Sequence, residues 1–179
     1  AILLEHGEQL DRERGELLDA LGPSPATREL VGALLLPLAG CLATPAGRNY
    51  LRIVAQLTGR FAAWRVPTRL TPANLRTILG MLESRPADLP EAIRRERVVQ
   101  VIMLMTTAMA ERARAVESRR ALELDDDRFL ANLADVIVGA LEAPAGSPLR
   151  VGASRAGSAA VGIGPGESAV GSRGPAQAS

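Results

Sequence analysis

The sequence predicts an all-α fold, in the form of an antiparallel helical bundle. Apolar residues recur at spacings of three and four along residues 1–143, which is the period of an amphipathic helix. Leu, Ala and Arg, which are good helix formers, dominate the composition. The alternating pattern of a half-buried strand does not occur. Aromatic residues make up only 2% of the chain, so we expect a core of Leu, Ala, Val and Met.

Turn and capping residues predict where the first four helices begin and end. The first helix is expected from Ala1 to about Leu21, with Leu on one side and mixed charges, including Arg14, on the other. Ser-Pro or Thr-Pro precedes the next three helices, so that a hydroxyl caps each helix and Pro takes its first position. These dipeptides are Ser24-Pro25, Thr44-Pro45 and Thr71-Pro72. Pro37 should kink or split the second helix.

Two longer helices close the predicted domain, over Leu89–Arg119 and Asp125–Glu142. Asp125, Asp126 and Asp127 supply a cap and complement the helix dipole. The first of the two is apolar over most of its circumference, which indicates burial on two sides. The two helices would form a hairpin with more apolar surface than one interface needs. A second copy of the same hairpin would cover this surface, giving a dimeric four-helix bundle. The alternative is that the rest of the chain covers both sides. The predicted dimer interface is Val98, Met105, Met109, Val116, Phe129, Leu133, Val136, Ile137 and Ala140.

Composition divides the chain into a helical domain over 1–143 and a tail over 144–179. Gly, Ala, Ser and Pro dominate the tail, which should therefore be disordered. The net charge of the whole chain is +1. The helical domain is also close to neutral, which argues against nucleic-acid binding by that domain itself. A single cysteine excludes an internal disulfide and fits a cytoplasmic location. No apolar run is long enough to cross a membrane. The opening Ala-Ile-Leu-Leu reads as the inside of a helix, so we expect further sequence upstream.

The residues that most often carry catalysis or bind metals have simpler interpretations here. His6 is the only histidine and is expected to be a solvated surface residue rather than a metal ligand. Cys41 lies in an apolar segment and is expected to be a buried small residue rather than a reactive thiol. The Gly-rich stretch near Gly164 follows no strand and precedes no helix, so it does not predict a phosphate loop. We expect no enzyme activity, no cofactor and no metal.

A pocket for a small hydrophobic molecule between the helices is the remaining possibility. Its candidate residues are polar, aromatic or Met side chains on otherwise apolar faces: Tyr50, Thr58, Phe61, Trp64, Met81, Met103, Thr106 and Arg112. Most residues of these types at helical spacing are plain core. Arg112 has three open interpretations: it anchors an acidic ligand, pairs across the dimer, or extends its charge to solvent.

Three segments resemble the C-terminal domain of TetR/AcrR-family transcriptional regulators: Thr44–Leu57, Arg97–Ala113 and Phe129–Leu141. The resemblance implies an all-helical effector domain that dimerises through its last two helices. It also implies an N-terminal helix-turn-helix domain, which this chain lacks, so that operator DNA is a partner only through a segment outside the sequence. The helix Ala1–Leu21 would match the connector that follows that domain.

The implied mechanism is allosteric, with a ligand changing the orientation of the connector helix and thereby the spacing of two recognition helices. Whether this represses or activates transcription stays open. An alternative is a stand-alone helical dimerising or carrier module with no role on DNA. A small helical enzyme would need carboxylates converging on the apolar faces, and the sequence offers almost none.

Overall fold

The computed structural model describes residues 2–60 and 71–146, and within these ranges the chain is all-helical, with six α-helices and no strand. The helices are α1 (Ile2–Ala20), α2 (Thr27–Gly40), α3 (Pro45–Arg60), α4 (Ala73–Glu83), α5 (Glu91–Glu117) and α6 (Asp126–Glu142), with a 3₁₀ turn at Cys41–Ala43 between α2 and α3. The predicted helical class is confirmed. Residues 1–145 form one compact unit, and the second unit, 146–179, lies almost wholly outside the described residues, as does the predicted loop around Trp64.

α2 is the central helix, since it contacts α1, α4, α5 and α6. Leu30, Val31 and Leu34 are at most 2% exposed. Pro37 does not split this helix, which continues to Gly40. The chain then tightens into the 3₁₀ turn, where Cys41 and Leu42 are also buried.

Only one of the three predicted hydroxyl caps forms as expected. The Thr44 hydroxyl accepts the amide of Gly47, with Pro45 as the first residue of α3. Ser24 lies too early, because α2 begins at Thr27 and the Glu29 carboxylate accepts the Ala26 amide instead. The Thr71-Pro72 prediction is wrong for a different reason, which is that a residue of α1 caps α4.

That residue is Asp11, whose carboxylate accepts the first free amides of α4. Its Oδ2 lies 3.2 Å from the Asn74 nitrogen and its Oδ1 lies 2.9 Å from the Leu75 nitrogen. The Asn74 side-chain amide donates in return to the Asp11 carbonyl at 2.8 Å. A carboxylate at a helix N-terminus satisfies unpaired amides and complements the dipole. We call these three bonds the Asp11 clamp, and they fix α1 against α4.

α5 and α6 run antiparallel. Near the start of α5, Arg97 donates to the carbonyls of Leu141 and Ala143 at the end of α6. Near the end of α5, Arg112 contacts Leu124 and Asp126, where α6 begins. Asp125 caps α6 as predicted, accepting the Arg128 amide at 2.8 Å.

The predicted dimer residues do not form one exposed face. Five of them lie in the interior of the single chain, because α2 and α3 pack against the same stripes: Val98, Met105, Met109, Leu133 and Ile137. Val116 and Phe129 are half-buried, and Val136 and Ala140 are exposed. Much of the apolar surplus predicted for the hairpin is thus covered by the rest of the chain. Dimerisation itself stays a prediction.

At Gly47 the backbone of α3 contacts the backbone of the 3₁₀ turn, so a larger residue there should lower stability. A Cβ atom at position 47 would lie 2.3 Å from the carbonyl oxygen of Cys41 and 2.7 Å from its Cα. Neither backbone atom can move without displacing the turn. We expect Gly47→Ala to lower the free energy of unfolding by about 2 kcal/mol or more in chemical denaturation, as overpacking does.

The matched control is Gly80→Ala, in the middle of α4, where a Cβ meets no atom within 4 Å. It should raise the free energy of unfolding by about 0.5–1 kcal/mol, because Ala is the better helix former. Equal effects of the two substitutions would contradict the close packing at Gly47.

Candidate functional site

A cleft opens between α1 and the corner where α2 turns into α3. Its volume is about 440 Å³. α1 forms one wall, and the end of α2, the 3₁₀ turn and the start of α3 form the other. The lining residues are Glu5, His6, Gln9, Leu10, Arg12, Glu13, Pro37, Gly40, Cys41, Thr44 and Gly47. The volume lies within the range of about 300–1,000 Å³ typical of small-molecule sites.

The α1 wall of the cleft carries charged side chains and the His6 ring. Glu5, Glu13 and Arg12 place two acids and one base along α1. His6 stacks on the Tyr50 ring of α3, with ring centroids 5.5 Å apart and the planes 19° from parallel. The expectation of a solvated His6 is therefore corrected: the side chain is half-buried because Tyr50 covers one face of the ring. This stacking links α1 to α3.

Cys41 is buried where the cleft meets the core, as expected from the sequence. Its thiol lies 3.8 Å from the Pro37 carbonyl, to which it donates. Burial raises the pKa of Cys41 to about 11; the nearby Glu13 also raises it, and Arg14 opposes both. Burial likewise raises the pKa of Tyr50. Both groups are therefore neutral at physiological pH.

Arg14 lies in the interior beside these groups, although the sequence predicted it on the charged surface of α1. Its residue is 5% exposed and its Nε has no hydrogen-bond partner. Desolvation by burial lowers the pKa of the guanidinium, and the nearby Tyr50 and Asp11 act in the opposite direction. The signal was present in the sequence, because position 14 lies four residues after Leu10 and three before Leu17, on the apolar stripe.

None of the six described residues among the eight predicted to line a pocket lines this cleft. Phe61 and Trp64 lie outside the described residues. Tyr50 backs His6 without lining the cleft, Met81 is half-buried against the core, and Met103 is 41% exposed. Thr58 and Thr106 are buried, but their hydroxyls donate to carbonyls of their own helices, at Val54 and Ile102. These two hydroxyls therefore serve local structure.

Arg112 is held by the connection between α5 and α6. Its Nε and a terminal nitrogen lie 2.8 and 2.5 Å from Asp126 Oδ1, and the same terminal nitrogen donates to the Leu124 carbonyl at 2.8 Å. The guanidinium also lies 4.9 Å from the centroid of the Phe129 ring. With these partners Arg112 fastens the hairpin, and it is not a free anchor for a ligand.

The described residues offer no cluster for a metal ion: no group of three or more His, Cys, Asp or Glu side chains converges within residues 2–60 and 71–146. In the same part of the chain, no helix has the length and apolarity needed to cross a membrane. Comparison of the chain with protein-family models, with curated proteins and with solved structures finds no match.

Cys41 yields a prediction about reactivity. Because the thiolate is the reactive form and the pKa is raised to about 11, the thiol of the folded protein should react slowly with a disulfide reagent such as DTNB at pH 8. The rate should increase as the pH approaches 11. In guanidinium chloride, one thiol per chain should react at once. Immediate stoichiometric reaction of the folded protein at pH 8 would contradict this placement of Cys41.

Proposed function

We propose that this chain is the effector-sensing and dimerisation part of a TetR-like transcriptional regulator, controlling a helix-turn-helix domain that lies upstream of Ala1. The order of six helices and the antiparallel α5–α6 pair support this proposal together with the resemblance of the sequence. The DNA-binding role implies a cytoplasmic protein without catalytic activity.

The observation that carries the proposal is the position of the cleft against α1. In the family that the sequence resembles, the corresponding helix continues into the DNA-binding domain. A molecule in the cleft would touch His6, Gln9 and Leu10 on α1 and Cys41 and Thr44 on the opposite wall. Any ligand that fills the cleft would therefore act directly on the connector.

The Asp11 clamp gives α1 a point of attachment to α4 next to the cleft. Asp11 is bonded to the start of α4, whereas His6 and Gln9 precede it and line the open cleft. A ligand would push or pull the segment before the clamp, with α4 as the fixed support. That segment is the one nearest the upstream domain. A coupling of about 1–3 kcal/mol would change DNA affinity about 5–150-fold.

A second copy of the chain would pack on the exposed side of the α5–α6 hairpin. Met103 and Leu104 on α5 are 41% and 40% exposed, and Val136 on α6 is 49% exposed. Exposed apolar side chains on both helices of one hairpin favour a symmetric contact. The proposed interface therefore consists of these outer positions and not of the buried stripe.

The dimer can be tested with Val136→Glu. We expect the unmodified chain to sediment with the mass of two 18.8 kDa chains and the variant with the mass of one, because the interface would leave the carboxylate unpaired. Ile53→Glu is the matched control, since Ile53 is 38% exposed and belongs to α3 rather than to α5 or α6. A monomeric unmodified chain, or a dimeric Val136→Glu variant, would overturn the proposed interface.

The sensing role can be tested without a known ligand by filling the cleft with a side chain. In the protein with its upstream domain, Gln9→Trp should change affinity for selected operator DNA at least about fivefold. Glu16→Trp is the control, because Glu16 is exposed on α1 and does not line the cleft. Unchanged affinity with Gln9→Trp would favour the alternative, a helical carrier module with no role on DNA.

A further inference from the structure

The imidazole ring of His6 forms part of the cleft wall and is supported from behind by a second ring. It stacks on the Tyr50 ring, with centroids 5.5 Å apart and planes 19° from parallel. His6 lines the cleft and Tyr50 does not, so the Tyr50 ring lies on the side of the imidazole away from the cleft. His6 is only half-buried, so part of its surface remains accessible to a molecule in the cleft. A stack of two rings therefore ends at the cleft.

The orientation of the imidazole is set before any ligand binds. α1 carries His6 and α3 carries Tyr50, which packs against the hydrophobic core. Stacked rings prefer centroid separations of about 4.5–7 Å, and the His6–Tyr50 pair lies within that range. A side chain that is already held in its binding orientation loses little further conformational entropy when a ligand arrives. A flat molecule in the cleft would therefore extend the stack at small entropic cost.

The opposite wall of the cleft carries little side-chain bulk. Gly40 and Gly47 line it, together with the short ring of Pro37. A Cβ atom at Gly40 would meet no atom within 4 Å, so open space lies beside this residue. Its φ of −56° is helical and accessible to any residue, so the backbone does not require glycine there. The missing side chain leaves room across the cleft from α1.

We propose that the cleft binds a small planar aromatic molecule, whose ring stacks on His6 and whose other side faces Gly40 and Pro37. Leu10 and Cys41 complete the apolar part of the lining. The cleft volume of about 440 Å³ leaves room for a bicyclic ring system. This inference names the effector class of the proposed sensor and rests on that proposal for its biological meaning.

Naphthylmethanol and decahydronaphthylmethanol are matched probes, since they share a carbon skeleton and a hydroxyl and differ in aromaticity. The saturated alcohol has the larger apolar surface, so burial alone would favour it. Isothermal titration of the full chain should show naphthylmethanol binding at least about threefold more tightly, because only its ring stacks on the imidazole. His6→Leu should abolish this preference, and His6→Phe, which restores a ring, should retain it.

Proton NMR provides a direct readout of the contact, because the chain contains a single histidine. The His6 imidazole protons should move upfield when naphthylmethanol binds, since the ring current of a stacked aromatic molecule shields them. Saturating decahydronaphthylmethanol at the same pH should move them much less. This measurement uses the unmodified chain, so it tests the contact even if His6→Leu does not fold.

Gly40→Leu tests whether the probes occupy the cleft. The new side chain would enter the open space beside the end of α2, so both probes should bind at least about tenfold more weakly. Gly32→Leu is the matched control, because Gly32 lies on the same helix, has equally open surroundings and does not line the cleft. This control should bind both probes as the unmodified chain does.

The outcomes separate this inference from the proposed function. If the two alcohols bind equally well and shift the imidazole protons alike, the aromatic proposal is overturned and the sensor stands. Failure of naphthylmethanol to bind the unmodified chain, or equal effects of Gly40→Leu and Gly32→Leu, also overturns the aromatic proposal. If naphthylmethanol binds through His6 while Gln9→Trp leaves DNA affinity unchanged, the aromatic site stands and the regulator proposal is lost.

Discussion

The proposed role of α1 in sensing a ligand depends on the Asp11 clamp. The Asp11 carboxylate accepts hydrogen bonds from two backbone amides at the N-terminus of α4. The side-chain amide of Asn74 in α4 donates in return to the Asp11 carbonyl in α1. The contact is directional and joins helices far apart in sequence. It attaches α1 to α4, while the cleft opens between α1 and the α2–α3 corner. A helix packed on all sides along its whole length would leave no room for a ligand.

Two arginines on apolar stripes, Arg112 and Arg14, are both buried but differ in their hydrogen-bond and ion-pair partners. Arg112 has a carboxylate, a backbone carbonyl and an aromatic ring within contact distance, so its burial fastens the α5–α6 connection. Arg14 has no ion pair among the described residues and its Nε has no hydrogen-bond partner, while the nearby Asp11 and Glu13 carboxylates partly offset its charge. Protein interiors rarely tolerate such a charge without a reason. The two arginines therefore differ in how fully their burial is compensated by hydrogen bonds.

Local signals in the sequence were sufficient for the helices and for some of their ends. Thr44 and Asp125 cap the helices that follow them, because each hydroxyl or carboxylate is adjacent in sequence to the amide that it satisfies. The sequence did not predict the cap of α4, because Asp11 is distant in sequence. No local pattern indicates that its carboxylate contacts the start of α4. Arg14 was detectable from the period of α1, where a charge at an apolar position contradicts a surface assignment.

The cleft could not be predicted from apolar faces alone. Its lining combines the charged side of α1 with a corner formed by Pro37, Cys41 and Gly47, and the shape depends on how closely α3 meets the turn. Aromatic and Met residues on apolar faces are candidates for a pocket, but Tyr50 and Met81 pack against the core instead. The way in which segments distant in sequence pack together determines which residues line the cleft. The helical periodicity of each segment does not indicate how the segments pack.

The most direct test of the regulator proposal is to read the coding sequence immediately upstream of Ala1. We expect an in-frame segment of about fifty residues with a helix-turn-helix pattern, continuous with α1. A start codon directly before Ala1 would contradict it, because α1 would then connect the cleft to nothing that binds DNA.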